Sequence, residues 1–159
     1  MKPVVLALST LIGAAAIPAG AQTVNASDPD SIVAALQRLG YAARLERTNS
    51  GAPVIRSGAR GVNFSVFFYG CTDNSNCRDI NFSAGFTTLE PRTLKLMNDW
   101  NGSRIIGKAN IDDEGNPYIR HFVAGVIDLP PAAFDRTVTR WDTTLGDFLT
   151  HIDWAGSAR

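Results

Sequence analysis

Few side chains in this sequence have types and spacings that could do chemistry. There are two cysteines, Cys71 and Cys77, separated by five residues, and only two histidines, His121 and His151. Acidic side chains gather in Asp112-Asp113-Glu114 and, mixed with amides, in Asp73-Asn74-Ser75-Asn76. Nucleophilic catalysis needs a Ser or Cys beside a base, with a third group to orient that base. No Gly-x-Ser-x-Gly elbow is present. His121 falls within a strand pattern, and His151 falls in the last turn of a helix pattern, where a cation suits the helix dipole. Neither acidic cluster has the alternating spacing and following Glu of a calcium loop, and both have ordinary hairpin-turn compositions. Zinc needs four ligands, and no histidine lies near the cysteines. Paired carboxylates of the glycosidase kind leave no sign in the pattern. The sequence therefore assigns no catalytic, cofactor-binding or metal-binding residue. A thiol redox centre would read Cys-x-x-Cys beside a βαβ pattern. The cysteines are instead expected to form a structural disulfide closing a short loop, a constraint of about 2 kcal/mol on chain-entropy grounds.

That pairing fits the compartment implied by the N-terminus. Lys2 is followed by an uncharged apolar run, Val4 to Ile17, then by Pro18 and the small residues Ala19-Gly20-Ala21. This is the pattern of a cleavable secretory signal over residues 1–21, with cleavage after Ala21 and a chain starting at Gln22. The run is too short for a membrane span, which takes roughly 20 apolar residues, and nothing later is long enough either. Exported thiols tend to pair. Residues 22–159 have the size of one domain. The 15 basic and 15 acidic residues balance, and the arginines are scattered along the chain. A nucleic-acid partner, which needs clustered cations, is not expected, nor is a polybasic membrane patch.

The elements that must position these residues follow from periodicity. Asp28-Pro29 open a first helix with Ile32, Val33, Leu36 and Leu39 on one face and Gly40 as its stop. Asp28 is the expected cap. Four strands follow. Tyr41 to Glu46 alternate weakly, and Val54 to Arg56 are short. The third is strong, with Val62, Phe64, Val66 and Phe68 set against Phe67 and Tyr69. The fourth spans Ile80 to Phe86. A second helix is expected over about Pro91 to Trp100, stopped by Asn101-Gly102. A hairpin is expected next, from Ile105 to Ala124, around the acidic turn. The last helix, capped by Asp128 and entered at Pro130-Pro131, carries Phe134, Val138, Trp141, Leu145, Phe148 and Ile152 as one stripe. The fold class is therefore α+β, a single mainly antiparallel sheet with helices packed on it, in the order α-ββββ-α-ββ-α. Phe67 and Tyr69 then point away from the core-facing set. They are covered by a helix of the chain or form a contact surface.

Several stretches resemble the YbjN family of bacterial sensory transduction regulators. They are Phe64 to Cys71, Phe82-Ser83-Ala84-Gly85-Phe86, Asn98-Asp99-Trp100-Asn101, Gly107-Lys108-Ala109 and Asp112-Asp113-Glu114-Gly115. The resemblance runs from the first helix to Trp154. It implies a fold like that of type III secretion chaperones and supplies no catalytic residues. It points to a non-enzymatic binding or regulatory module of the cell envelope, periplasmic or secreted, acting on a protein partner. A small-ligand carrier and an enzyme without a recognisable motif are the alternatives. A homodimer is the assembly the chaperone fold implies. Helix 2, with Leu94, Leu96, Met97 and Trp100 on more than one side, is consistent with it.

Overall fold

The computed structural model describes residues 23–88 and 92–154. The proposed leader lies outside the described residues, as does Pro91. The elements are α1 (Pro29–Arg38), β1 (Arg44–Arg47), β2 (Pro53–Ala59), β3 (Val62–Tyr69), β4 (Asp79–Gly85), α2 (Leu94–Ser103), β5 (Lys108–Ile111), β6 (Pro117–Val123) and α3 (Pro131–His151). They build one six-stranded sheet in the order β1-β2-β3-β4-β6-β5, antiparallel at every pairing. The α+β class and the α-ββββ-α-ββ-α order are as the periodicity predicts.

One side of the sheet carries the core. Ile55, Phe64, Val66, Ile80, Phe82, Ala84 and Ile119 are buried there, under the α3 stripe of Phe134, Val138, Trp141, Leu145, Phe148 and Ile152. Trp141 stacks on Phe82 at 5.5 Å between ring centroids and meets Phe64 edge-on at 5.7 Å. Burial of this stripe is what makes a 21-residue helix stable, since propensity alone contributes little. α1 adds the buried Ile32 and Leu36.

The helix ends differ from expectation. Neither Asp28 nor Asp128 caps a helix through its side chain. The Ser31 hydroxyl bonds to the carbonyl oxygens of Asp28 and Asn25 and accepts from Asn25 N–H, which knits the entry to α1. The Asp128 carboxylate instead accepts from the Asn25 side-chain amide at 2.9 Å. That bond reinforces the pairing of Val24 with Leu129 and ties the start of the domain to the entry of α3. Both aspartates read as caps because a proline follows closely, but at α1 the Ser31 hydroxyl makes the entry bonds, and at α3 the Asp128 carboxylate is taken by the distant Asn25. α2 begins at Leu94 with Thr93 as its cap, Thr93 Oγ1 accepting from Leu96 N–H. It runs through Asn101-Gly102 to Ser103 rather than stopping there. β5 starts at Lys108, not at Ile105, which is fully exposed. β2 extends past Gly58 to Ala59, into a two-residue turn at Arg60-Gly61. Both turn residues have positive φ, the geometry that matches the twist of a tight hairpin.

Candidate binding face

The distinctive Trp100-Asn101 pair anchors structure. Trp100 is buried, and its indole N–H donates to the Gly107 carbonyl at 2.7 Å. The Asn101 side chain both donates to the Ala109 carbonyl and accepts from its N–H, each at 2.9 Å. An amide thus replaces the missing neighbour of edge strand β5. Gly107 has φ +84, and a side chain there would collide with Thr144 and Ile119, so glycine is required at that close approach. In the acidic turn, desolvation opposes ionisation of Asp112. The N–H groups of Asn116 and Glu114, with the Asn116 amide and the Tyr118 hydroxyl, outweigh it and hold the carboxyl below its ordinary range. That aspartate is satisfied by its own turn.

The histidines are far apart in role. His121 faces the helix side, stacked against Phe82, and burial with Arg140 nearby holds its imidazole below the ordinary value. His151 Nε2 pairs with the Leu96 carbonyl at 2.8 Å and its ring packs on Trp100, joining α3 to α2. Among the described residues, no group of three His, Cys, Asp or Glu side chains is placed to hold a metal ion. No described helix is long and apolar enough to cross a membrane.

Cys71 and Cys77 are joined in the loop after β3. Asp73, Asn74 and Asn76 take left-handed backbone conformations in that loop, which Asn and Asp tolerate best among non-glycines. The Asn74 amide donates to the Ser50 carbonyl, fastening the loop to the β1–β2 turn.

The other side of the sheet has no helix over it among the described elements. Cross-strand register sorts its side chains into rows. One row runs Glu46, Val54, Phe67, Asn81, Phe122. Val54 and Asn81 are buried, Phe67 is half-buried and Phe122 is 55% exposed. Tyr69, 46% exposed, meets Phe122 edge-on at 6.1 Å. Asn81 Oδ1, between the two phenylalanines, is buried with no hydrogen-bond partner. The adjacent row runs Arg44, Arg56, Ser65, Ser83, Arg120, Lys108 across all six strands. Arg44 and Arg56 share Glu46, at 3.0 and 3.4 Å, and Arg56 also donates to Ser65 Oγ at 2.7 Å. Arg120 lies over the Tyr118 ring, 5.5 Å from its centroid. The Tyr118 ring in turn lies across Gly85, where any Cβ would collide with it. A groove of about 890 Å³ follows this surface and the β1 edge. Its lining includes Arg44, Arg56, Asn63, Ser65, Ser83 and Gly85.

This arrangement puts Phe67 and Tyr69 on the helix-free face, and adds Phe122, Arg120 and Lys108. Phe122 and Tyr69 stand on strands distant in the chain. Nothing local links them, and the β4–β6 pairing does. The model of the YbjN family, "Putative bacterial sensory transduction regulator", matches residues 28–154. The chain belongs to the YbjN family. No curated protein matches it. The matched residues cover every element of the domain, from α1 to the end of α3. The Trp100-Asn101 pair and the acidic turn that mark this YbjN chain are therefore parts of its scaffold. The open face is where side chains remain that the scaffold does not use.

Helix α2 needs no second copy of the chain. Met97 and Trp100 are buried, Trp100 packs edge-on against Phe148 of α3, and Leu96 packs on the core, which leaves Leu94 exposed. The apolar sides expected to call for a dimer partner are largely satisfied by the chain itself.

Proposed function

We propose that this YbjN protein is an exported, non-enzymatic protein-binding module that engages its partner through the open sheet face. The observation that carries the reading is the aromatic group Phe67, Tyr69 and Phe122, held on a rigid sheet and partly exposed on the side away from the helices. Exposed aromatics clustered on one face are typical of contact surfaces. Export is supported by the leader pattern of residues 1–21 and by the Cys71–Cys77 bond, which suits an oxidising compartment. The non-enzymatic character is supported by the separation of the two histidines, each tied to a packing contact.

A photo-crosslinking residue at position 69 or 122, expressed in the native cell, should give one discrete protein adduct. The same residue at Thr139, exposed on α3, should give none. Equal adducts from all three positions would sink the face assignment. Protein recovered by osmotic shock should begin at Gln22, and recovery with an intact Met1 from the cytoplasm alone would remove export. The partner we propose is a different chain. Light scattering across a wide concentration range that finds twice the chain mass would assign the face to a homodimer instead. The groove beside the cationic row favours the small-ligand carrier as the second reading, and mass spectrometry of the native protein would reveal a retained molecule.

A further inference from the structure

The cations of this protein are not distributed alike. Away from the open face, three arginines are each paired with a carboxylate of α3: Arg38 with Asp135, Arg60 with Asp142, Arg104 with Asp147. On the open face Arg44, Arg56, Arg120 and Lys108 stand in one cross-strand row. Among the described residues the ion pairs reaching that row both come from Glu46. Against these four cations the face carries Glu46 and, opposite Tyr69, Asp79, whose carboxylate accepts from Gly125 N–H; this leaves an excess of two positive charges, on a chain whose formal net charge is zero. We infer that the open face selects an acidic protein segment, laid across the strands with carboxylates along one edge and apolar side chains along the other.

This inference rests on the protein-binding reading above and adds the chemistry of the partner. Neighbouring strands are about 4.8 Å apart, so the row from Arg44 to Lys108 is about 24 Å long. Arg56 and Arg120, three strands apart, are separated by about 14 Å. An extended segment of about seven residues spans the row, and carboxylates four residues apart on one side of it would meet both cationic ends. Between those ends lie only the short Ser65 and Ser83, over the groove, which gives the segment room to sit close. Phe67 and Phe122 form the parallel row two residues along the same strands, within reach of its apolar edge. The Tyr69 and Phe122 rings meet edge to face rather than lying open for base stacking, and the cations form two separated pairs rather than a continuous stripe. Both features favour a protein segment over a single-stranded nucleic acid.

The test uses the intact exported protein and a labelled peptide of alternating Glu and Tyr, about eight residues long so that it spans the row. Its Lys-for-Glu counterpart, single-stranded oligothymidine and phosphatidylglycerol vesicles are the controls. The acidic peptide should bind alone among the four. Binding should weaken about tenfold in the double variant Arg56→Gln, Arg120→Gln, and should be lost in ~1 M salt, where the screening length is about 3 Å. Arg136→Gln, an exposed arginine on α3, should leave it unchanged. The acidic preference is overturned by equal binding of the Lys peptide, by preference for oligothymidine or vesicles, or by an unweakened double variant whose melting temperature is normal. Native crosslinks from position 69 that persist undiminished in the double variant would overturn the charge preference alone. Absence of any crosslink from positions 69 and 122 would overturn the protein-binding reading beneath it.

Discussion

The two sides of the same sheet show what folding uses and what it leaves over. On the helix side every large apolar group has a neighbour, from Trp141 on Phe82 to Trp100 on Phe148. The arginines that reach α3 from other elements each meet an aspartate. On the open side Tyr69 and Phe122 touch each other and solvent, and of the four cations in one row only Arg44 and Arg56 reach a carboxylate, Glu46, among the described residues. Buried contacts are selected for stability, whereas an exposed aromatic or an unmatched charge contributes little to it. The difference therefore separates residues that make the protein stand from those available to a partner.

Substitutions can break or sharpen that contrast. The largest effect is expected from Trp141→Ala, which removes the ring stacked between α3 and the sheet and should cost about 3–5 kcal/mol by denaturant unfolding. A loss below about 1 kcal/mol, the range of ordinary surface changes, would show that the helix side is not the energetic centre. Next comes Cys71→Ala. Opening the small loop should cost about 2 kcal/mol without abolishing folding. Protein denatured without reductant should titrate no free thiol. Two thiols per chain would show that the clip is absent and that the loop next to Tyr69 is held by Asn74 alone.

Asn101→Ala removes two hydrogen bonds from the edge of β5 and should cost about 1–2 kcal/mol. Amide exchange should quicken at Ala109 while the β3–β4 amides stay protected. Uniform quickening would mean that the edge and the centre open together. His121 contributes through pH. Burial lowers its folded pKa, so the unfolded chain takes up the proton first as pH falls below about 6.5. Its contribution is therefore present above that pH and lost as pH falls through the folded value. His121→Gln should flatten the stability profile there. Asp135, lowered by its Arg38 bond, acts only at more acidic pH. The smallest stability effect belongs to Phe122→Ser, within about 0.5 kcal/mol, while crosslinking through position 69 should fall sharply. A stability cost like that of Trp141→Ala would erase the distinction between the faces.

The α3 stripe and the β3 alternation were legible because spacings of three and four, or of two, name the buried side without knowledge of the neighbour. The caps were not. Asp28 and Asp128 have the right type and place, but the α1 entry is bonded through the Ser31 hydroxyl, and the Asp128 carboxylate goes to Asn25, 103 residues away in chain order. The start of β5 was misplaced because Ile105 is apolar yet fully exposed, and only the partner strand and Asn101 decide where pairing begins.

The same division runs through the candidate site. The sequence by itself determined that Phe67 and Tyr69 lie opposite the core-facing residues of their strand, because successive side chains alternate across a strand. It determined the loop that joins Cys71 to Cys77, because their separation is short. It could not place Arg44, Arg56, Arg120 and Lys108 in a line, nor Phe122 against Tyr69. Those neighbours come from strands distant in the chain. Their alignment is set by the order β1-β2-β3-β4-β6-β5 and by the residue-by-residue register of each pair, which is a property of the folded sheet rather than of any one segment.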